Sequence, residues 1–118
     1  MNQEQIRTLT TMKKLIKQGK YKFAKRRDID YVQELALLGI TEEEAWNDHI
    51  LSLNNAFYYP DPKPNYLTSG KTLVFRKPIK GHLVYIKLKL EKDNNEDYTV
   101  CLSFHKSRRV TKYEMRYL

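Results

Sequence analysis

The chain of 118 residues contains a single cysteine and only three histidines. One cysteine excludes an intramolecular disulfide, and so few thiol and imidazole groups argue against a structural zinc site. No apolar run approaches the ~18 residues that a membrane span needs, and the first residues lack the apolar core of a signal peptide. We therefore expect a cytoplasmic protein that uses no metal or other cofactor and has no membrane partner.

Acidic residues are few beside basic ones: 14 Asp and Glu face 22 Lys and Arg, a formal net charge of +8. The charge is segregated along the chain. Residues 1–27 carry nine basic groups and one acidic group, residues 28–70 one basic and eight acidic, and residues 71–118 twelve basic and five acidic. Two basic segments indicate a polyanionic partner such as RNA, whereas solvated helix faces would explain the same pattern without a partner.

Apolar residues recur at three- and four-residue spacing in the first half of the chain, which is typical of amphipathic helices. A first helix is expected to end at Gly19, a second to span 28–38, and a third to run from the capping box of Thr41 and Glu44 to residue 53. The residues expected to face the core are Ile6, Leu9, Met12, Leu15, Ile16, Ile29, Val32, Leu35, Ala36, Trp46, Ile50 and Leu53.

Strand patterns dominate the second half of the chain, at 56–59, 71–77, 82–91 and 98–105. Three of the four prolines follow residue 59 and predict an exposed loop over 61–70, and polar residues predict a turn at 93–96. Helices followed by strands, without alternation, predict an α+β fold whose N-terminal helices pack on one face of a small antiparallel sheet. We expect one domain over 1–118, with a basic C-terminal extension at 106–118.

Side chains alternate between the two faces of a strand, so the last two strands each predict an apolar and a polar face. The apolar faces are expected to carry Val84, Ile86, Leu88, Leu90, Tyr98, Val100, Leu102 and Phe104. The polar faces are expected to carry Tyr85, Lys87, Lys89, Thr99, Cys101, Ser103 and His105, with Arg76 of the neighbouring strand beside them. In the expected register, Tyr85 lies near His105, Lys87 near Ser103 and Lys89 near Cys101.

The polar face holds the groups that RNA cleavage without a metal requires. Attack of a ribose 2′-hydroxyl on the adjacent phosphate needs a base, an acid and cations for the developing charge. His105 is the expected acid–base group, because imidazole titrates near neutral pH. Lys87 and Arg76 can hold phosphate, and Tyr85 can bind phosphate or stack on a base. The alternative is an ordinary sheet surface on which lysines prevent aggregation, and Cys101 is expected to be inert because no base is paired with it.

Short motifs follow one another between residues 12 and 106: Met-Lys-Lys-Leu-Ile-Lys-Gln-Gly at 12–19, Leu-Gly-Ile-Thr at 38–41, Phe-Tyr at 57–58, Val-Phe-Arg at 74–76, Val-Tyr-Ile-Lys at 84–87 and Leu-Ser-Phe at 102–104. In order and spacing they resemble the MqsR family of toxin–antitoxin mRNA interferases. The resemblance implies a RelE/YoeB-like fold and a metal-independent endoribonuclease toxin that cleaves mRNA and inhibits translation and growth. It also implies a cognate antitoxin protein as a partner, with DNA contacted only indirectly through that antitoxin.

The chain departs from the family at most of the family's active-site positions. The strand tyrosine, Tyr85, is unchanged, whereas the family's lysine after Phe-Tyr is Tyr59, its glutamine is Thr72, and its lysine after Ser-Phe is His105. Either His105 takes the acid–base role near neutral pH, or the replacements change specificity or abolish activity. Tyr59 and Thr72, at two of these family positions, are expected to bind RNA. Because the C-terminal residues of RelE-like toxins contact RNA, Lys106, Arg108 and Arg109 are expected to bind it as well.

Two other functions fit the same residues. The tyrosines and the basic segments suit a module that binds single-stranded nucleic acid without cleaving it, and such a module predicts salt-dependent binding that leaves RNA intact. The third possibility is a protein-interaction domain whose basic face binds an acidic partner, in which case binding to nucleic acid would be negligible at physiological salt.

Overall fold

The computed structural model describes residues 1–25, 27, 30–60 and 71–107. Helices precede a four-stranded sheet, so the α+β prediction is confirmed. In chain order the elements are α1 (Gln3–Lys17), β1 (Tyr21–Phe23), α2 (Tyr31–Leu38), α3 (Glu42–Glu44) with a π-helical continuation (Ala45–Ile50), a 3₁₀ turn (Asn55–Phe57), β2 (Thr72–Ile79), β3 (His82–Asp93) and β4 (Glu96–Lys106). The predicted loop at 61–70 and residues 108–118 of the predicted extension lie outside the described residues.

Helix α1 is amphipathic, as its apolar spacing predicts. Asn2 and Gln5 form a reciprocal capping box that satisfies backbone groups at its N-terminus. Gly19 follows its C-terminus with φ 77°, a left-handed conformation that glycine adopts without strain. The residues that α1 buries are Thr8, Leu9, Met12, Leu15 and Ile16. The core position predicted for Ile6 is wrong: this side chain is 47% exposed, because it falls at the edge of the buried arc.

Helix α2 begins later than predicted. The Asp30 side chain accepts the Gln33 amide at 3.2 Å and caps the helix, so that the first helical residue is Tyr31. Leu35 and Leu38 are the buried residues of α2, and they form a narrow arc of the helix surface that contacts the core. The core positions predicted for Val32 and Ala36 are wrong, because both lie outside this arc and are exposed; Ile29 lies outside the described residues.

The capping box predicted for the third helix is confirmed. The Thr41 hydroxyl accepts the Glu44 amide, and the Glu44 carboxylate accepts the Thr41 amide, both at 3.1 Å. The backbone hydrogen bond to Thr41 lowers the pKa of the Glu44 carboxyl. After α3 the chain continues as a π-helix and stops at residue 50, short of the predicted 53. Trp46, Ile50 and Leu53 are nevertheless buried, as predicted.

The strand predicted at 56–59 is wrong. The Asn54 side chain accepts the Ala56 amide at 2.8 Å, and this local cap favours a 3₁₀ turn over an extended chain. Tyr58 forms an isolated bridge to Phe75, and the Tyr59 amide donates to the Val74 carbonyl at 2.9 Å. The turn therefore lays Tyr59 alongside β2 without adding a strand to the sheet.

The other three predicted strands are confirmed to within two residues at each end. Asn94 and Asn95 turn the chain between β3 and β4 with φ of 52° and 64°, a left-handed conformation that asparagine tolerates in hairpins. The sheet order is β1-β4-β3-β2. The antiparallel prediction is wrong at one edge, because β1 pairs parallel with β4 and makes the sheet mixed. No helix within the described ranges is long and apolar enough to cross a membrane.

A β-bulge interrupts the alternation of β4. Ser103 lies opposite Lys87 and Cys101 lies opposite the next residue of β3, Leu88. Leu102 is therefore an extra residue on β4, with no partner of its own in the register. Because of this extra residue, each β4 residue before the bulge points to the face opposite to the one that simple alternation predicts.

The bulge turns Thr99 and Cys101 toward the helices. Both are fully buried, and the Thr99 hydroxyl donates to the Met12 carbonyl of α1 at 2.9 Å. Their predicted place on the polar face is wrong, as is the pairing of Lys89 with Cys101: Lys89 lies opposite Val100. By the same shift, Tyr98 and Val100 lie on the face away from the helices, and Leu102 occupies the bulge.

One hydrophobic core fills the space between the helices and one face of the sheet. Trp46, Phe75 and Phe104 are the largest fully buried side chains. From β1, the rings of Tyr21 and Phe23 lie 4.6 and 5.2 Å from that of Trp46, so the parallel edge strand seals one end of the core. The opposite face of the sheet carries three further buried apolar side chains, Val74, Leu83 and Val100, beside the polar residues described below.

The single cysteine provides a test of this packing. Burial raises the pKa of the Cys101 thiol, which donates to the Ser103 carbonyl at 3.2 Å. Because the thiolate is the reactive form, we expect a thiol reagent such as DTNB to label native protein at least about a thousandfold more slowly than denatured protein. Absorbance of the released thionitrobenzoate measures both rates, and prompt labelling of the native protein would contradict the buried position.

Candidate active site

Three polar side chains stand directly opposite one another on adjacent strands. Arg76 of β2 pairs with Tyr85 of β3, and Tyr85 pairs with His105 of β4. The predicted neighbourhood of these three residues is therefore confirmed. With Tyr59, which lies beside β2, they form a continuous line across the face of the sheet away from the helices, and we call these four residues the sheet row.

The planar groups of the sheet row stack in pairs. The rings of Tyr85 and His105 have centroids 5.4 Å apart and planes inclined by 21°. The Arg76 guanidinium carbon lies 4.7 Å from the centroid of the Tyr59 ring. Cation–π interaction and ring stacking therefore hold the four side chains as a sequence of planar surfaces, which is the kind of surface on which nucleobases stack.

The tautomer of His105 follows from its hydrogen bond. Its Nδ1 lies 2.9 Å from the carbonyl oxygen of Lys106. A carbonyl oxygen accepts hydrogen bonds and donates none, so Nδ1 carries the proton in this hydrogen bond. In the neutral ring Nε2 then carries the lone pair, which is the arrangement that a general base needs.

Ser107 is a member of the site that sequence reasoning missed. Its hydroxyl lies 2.9 Å from Arg76 Nη2, and its amide donates to the Leu83 carbonyl at 2.7 Å, which extends the β4 ladder beyond its last strand residue. The hydrogen bond to Arg76 fixes the guanidinium in position over Tyr59. Strand alternation carried two residues past His105 would have placed Ser107 on the same face.

Lys87 lies on the same face, two residues and about 7 Å along β3 from Tyr85. Its neighbours across the sheet are Val74 of β2 and Ser103 of β4. The pairing with Ser103 is the one that the sequence predicted. The Lys87 side chain is only 8% exposed. Within the described residues its ammonium forms no hydrogen bond or ion pair. The stem of Lys87 is packed, but its ammonium is not among the enclosed polar atoms and reaches solvent, where it can meet a phosphate.

The combination of groups is suited to phosphate chemistry. Arg76 and Lys87 supply positive charge, and His105 supplies an acid–base group. Across the described part of the chain, no group of three or more His, Cys, Asp or Glu side chains could hold a metal ion. The same face also carries Lys89 and Glu91, farther along β3 from the sheet row.

Other residues predicted for the site lie apart from the sheet row. Thr72 is on the same face but four residues from Arg76, about 13 Å along β2, opposite Lys89. Lys106 pairs with the core residue Val84, and its carbonyl oxygen accepts from His105; its predicted contact with RNA stays a prediction. The predicted RNA contacts of residues 108 and 109 lie outside the described residues.

A second group of polar side chains lies on the helix side of the sheet. The Lys77 ammonium donates to the Ser52 hydroxyl at 2.5 Å and to the His49 carbonyl at 3.4 Å. Burial lowers the pKa of Lys77, and burial together with the nearby charge of Lys77 lowers the pKa of His49. A lysine at the C-terminal carbonyls of a helix stabilises that helix, so we assign this group to the fold.

Comparison with known proteins identifies no relative: no protein-family model, no curated protein and no solved structure matches the chain. The resemblance to MqsR-family toxins and to the RelE/YoeB-like fold therefore stays a prediction from the sequence motifs. The function is inferred below from the sheet row and from that prediction.

Proposed function

We propose that the protein is an endoribonuclease that cleaves mRNA without a metal cofactor. The observation that carries the proposal is the sheet row, in which Arg76, Tyr85 and His105 stand side by side on three adjacent strands. Together with Lys87 these residues provide a base, proton donors and positive charge within about 10 Å across the sheet. These are the requirements of phosphate attack by a ribose hydroxyl.

In the proposed reaction the ribose 2′-oxygen attacks the adjacent phosphorus, and the bond from phosphorus to the 5′-oxygen breaks. His105 Nε2 accepts the proton of the 2′-hydroxyl. The leaving 5′-oxygen receives a proton from the Tyr85 hydroxyl or the Lys87 ammonium. The products are a 2′,3′-cyclic phosphate and a 5′-hydroxyl end, and Arg76 with Lys87 stabilises the additional negative charge on the phosphoryl oxygens in the transition state.

The aromatic groups of the sheet row favour single-stranded RNA as the substrate. Tyr59 is 38% exposed at the end of the row and presents a ring on which an unstacked base can lie. In a duplex the bases are already stacked and paired, and their faces are not accessible to such a ring. We therefore expect cleavage in single-stranded segments of mRNA.

The biological role that we propose is that of a toxin of a type II toxin–antitoxin system, acting in the cytoplasm on translation and neutralised by an antitoxin protein. The support is the ordered set of motifs that resembles the MqsR family, together with the sheet row. A short antitoxin-like reading frame that overlaps or adjoins this one would support the role, and its absence would weaken it.

The proposed function predicts RNA cleavage in the presence of EDTA. We expect a single-stranded mRNA to be cut to products with 2′,3′-cyclic phosphate and 5′-hydroxyl ends, which mass spectrometry distinguishes. A substrate with a 2′-deoxynucleotide at the cut position should stay intact, because the nucleophile is missing. Failure to cleave any RNA, free or on ribosomes, would refute the enzyme, and salt-dependent binding with intact RNA would instead identify a binding module.

A further inference from the structure

Helix α1 carries positive charge on the side opposite its buried face. At about 100° per residue, Arg7, Lys14 and Lys17 fall within about 80° of one another, on the side of the helix roughly opposite Met12. All three side chains are exposed, whereas Met12 is completely buried. We call Arg7, Lys14 and Lys17 the α1 stripe. With a rise of ~1.5 Å per residue, the stripe extends for about 15 Å.

The charge of the α1 stripe is not neutralised within the described residues. The ion pair found there joins Lys22 and Asp93 and involves no member of the stripe. The one acidic residue of α1, Glu4, lies one turn from Arg7, and no ion pair joins these two described residues. Burial and the charge of Lys17 lower the pKa of the adjacent Lys13, which indicates that cations at this end of the helix repel one another.

The α1 stripe and the sheet row lie on opposite sides of the molecule. The buried face of α1 packs on the sheet, where the Met12 carbonyl accepts the Thr99 hydroxyl of β4. The sheet row projects from the other face of the same sheet. Since a helix axis and a sheet are packed about 10 Å apart and the stripe lies beyond the axis, at least about 15 Å separates the two surfaces. They cannot hold the same phosphate groups.

The chemistry of the stripe distinguishes among polyanionic partners. An interfacial membrane helix inserts an exposed apolar face, but the apolar residues of α1 other than Ile6 are in the core. A single-stranded nucleic acid is held by stacking on aromatic rings, and α1 has no aromatic residue. A double-stranded nucleic acid requires only cations that meet its phosphates, which is what the stripe offers.

We propose that the α1 stripe is a docking surface for the phosphate backbone of double-stranded RNA. The surface is distinct from the sheet row, which suits single strands. A structured RNA could then be held by its duplex at α1 while a separate single-stranded segment reaches the sheet. The choice of RNA over DNA rests on the proposed function, whereas duplex binding at α1 concerns a different face of the molecule and does not depend on catalysis.

The test is the binding of a labelled RNA duplex of about 16 base pairs, followed by fluorescence anisotropy as a function of salt. The test variant is Arg7→Gln, Lys14→Gln and Lys17→Gln combined, since glutamine preserves helix propensity. The matched control is Lys25→Gln, Lys71→Gln and Lys92→Gln, which removes the same charge from exposed positions elsewhere. Thermal unfolding and the cleavage of single-stranded RNA are measured for both variants.

We expect the stripe variant to bind the duplex at least about tenfold more weakly than the control at about 50 mM salt. The slope of log affinity against log salt should be smaller by about 3, because three fewer phosphates are neutralised by the protein. Equal duplex affinity of the two variants, no duplex binding by the wild type, or stronger binding to vesicles of anionic lipid would overturn the proposal. Duplex binding by a protein that cleaves no RNA would refute the proposed nuclease function but would still support the docking surface.

Discussion

Replacing His105 with alanine is expected to lower the rate of RNA cleavage by about 10²–10⁴-fold, the usual contribution of a general acid–base group. His105 is half-buried and stacked on Tyr85, and its Nδ1 is committed to the Lys106 carbonyl. This bond aligns the ring and leaves Nε2 for the substrate. The measurement is the single-turnover cleavage rate of a single-stranded RNA with EDTA present.

His82→Ala is the matched control for this prediction. His82 begins β3 and pairs with Ile79, on the face of β3 opposite to Tyr85. Its replacement should leave the rate unchanged. Added imidazole should restore part of the activity of His105→Ala. Equal cleavage by the wild type and His105→Ala would remove His105 from the mechanism.

Replacing Phe104 with alanine is expected to lower the free energy of unfolding by about 3–5 kcal/mol. Phe104 is completely buried, lies opposite the equally buried Ile86, and sits between Ser103 and His105 on β4. Its loss would open a cavity directly behind the sheet row. Urea unfolding followed by the fluorescence of Trp46, the only tryptophan, gives the free energy.

Two further variants calibrate this prediction. Leu37→Ala removes an apolar side chain that is 57% exposed and should cost less than about 0.5 kcal/mol. Phe104→Leu leaves a smaller cavity and should fall between Leu37→Ala and Phe104→Ala, which keeps the test informative if the alanine variant does not fold. A loss below about 1 kcal/mol for Phe104→Ala would contradict the central place of this side chain.

The core of the candidate site could be predicted from the sequence because it depends on local rules. Alternation along β3 and along the end of β4 gives each strand a polar face with Tyr85 and His105. The turn of Asn94 and Asn95 alone sets a register in which Tyr85 would lie opposite Phe104, and the bulge at Leu102 shifts the pairing by one residue to His105. Arg76 follows from the same rule on β2. The glycine and capping signals likewise located the end of α1 and the start of α3.

The errors arose where one element depends on another. The bulge at Leu102 has no local signal, because it adjusts β4 to its neighbours on both sides, and it moved Thr99 and Cys101 into the core. The strand predicted at 56–59 is replaced by the turn that Asn54 caps, and the exposure of Val32 reflects the narrow contact of α2 with the sheet. None of these outcomes follows from hydrophobic periodicity alone.

The sequence by itself determined the charge segregation, the helices, the three long strands and the polar positions of β2 and β3, because these depend on residue type and spacing. Tertiary structure alone decided which basic side chains lie on the same surface of the molecule. It placed Arg76 over Tyr59 and against Ser107, brought β1 parallel to β4, and set the basic helix on the side of the molecule away from the sheet row. The +8 charge is therefore divided between two surfaces, because a sheet and a helix layer separate them.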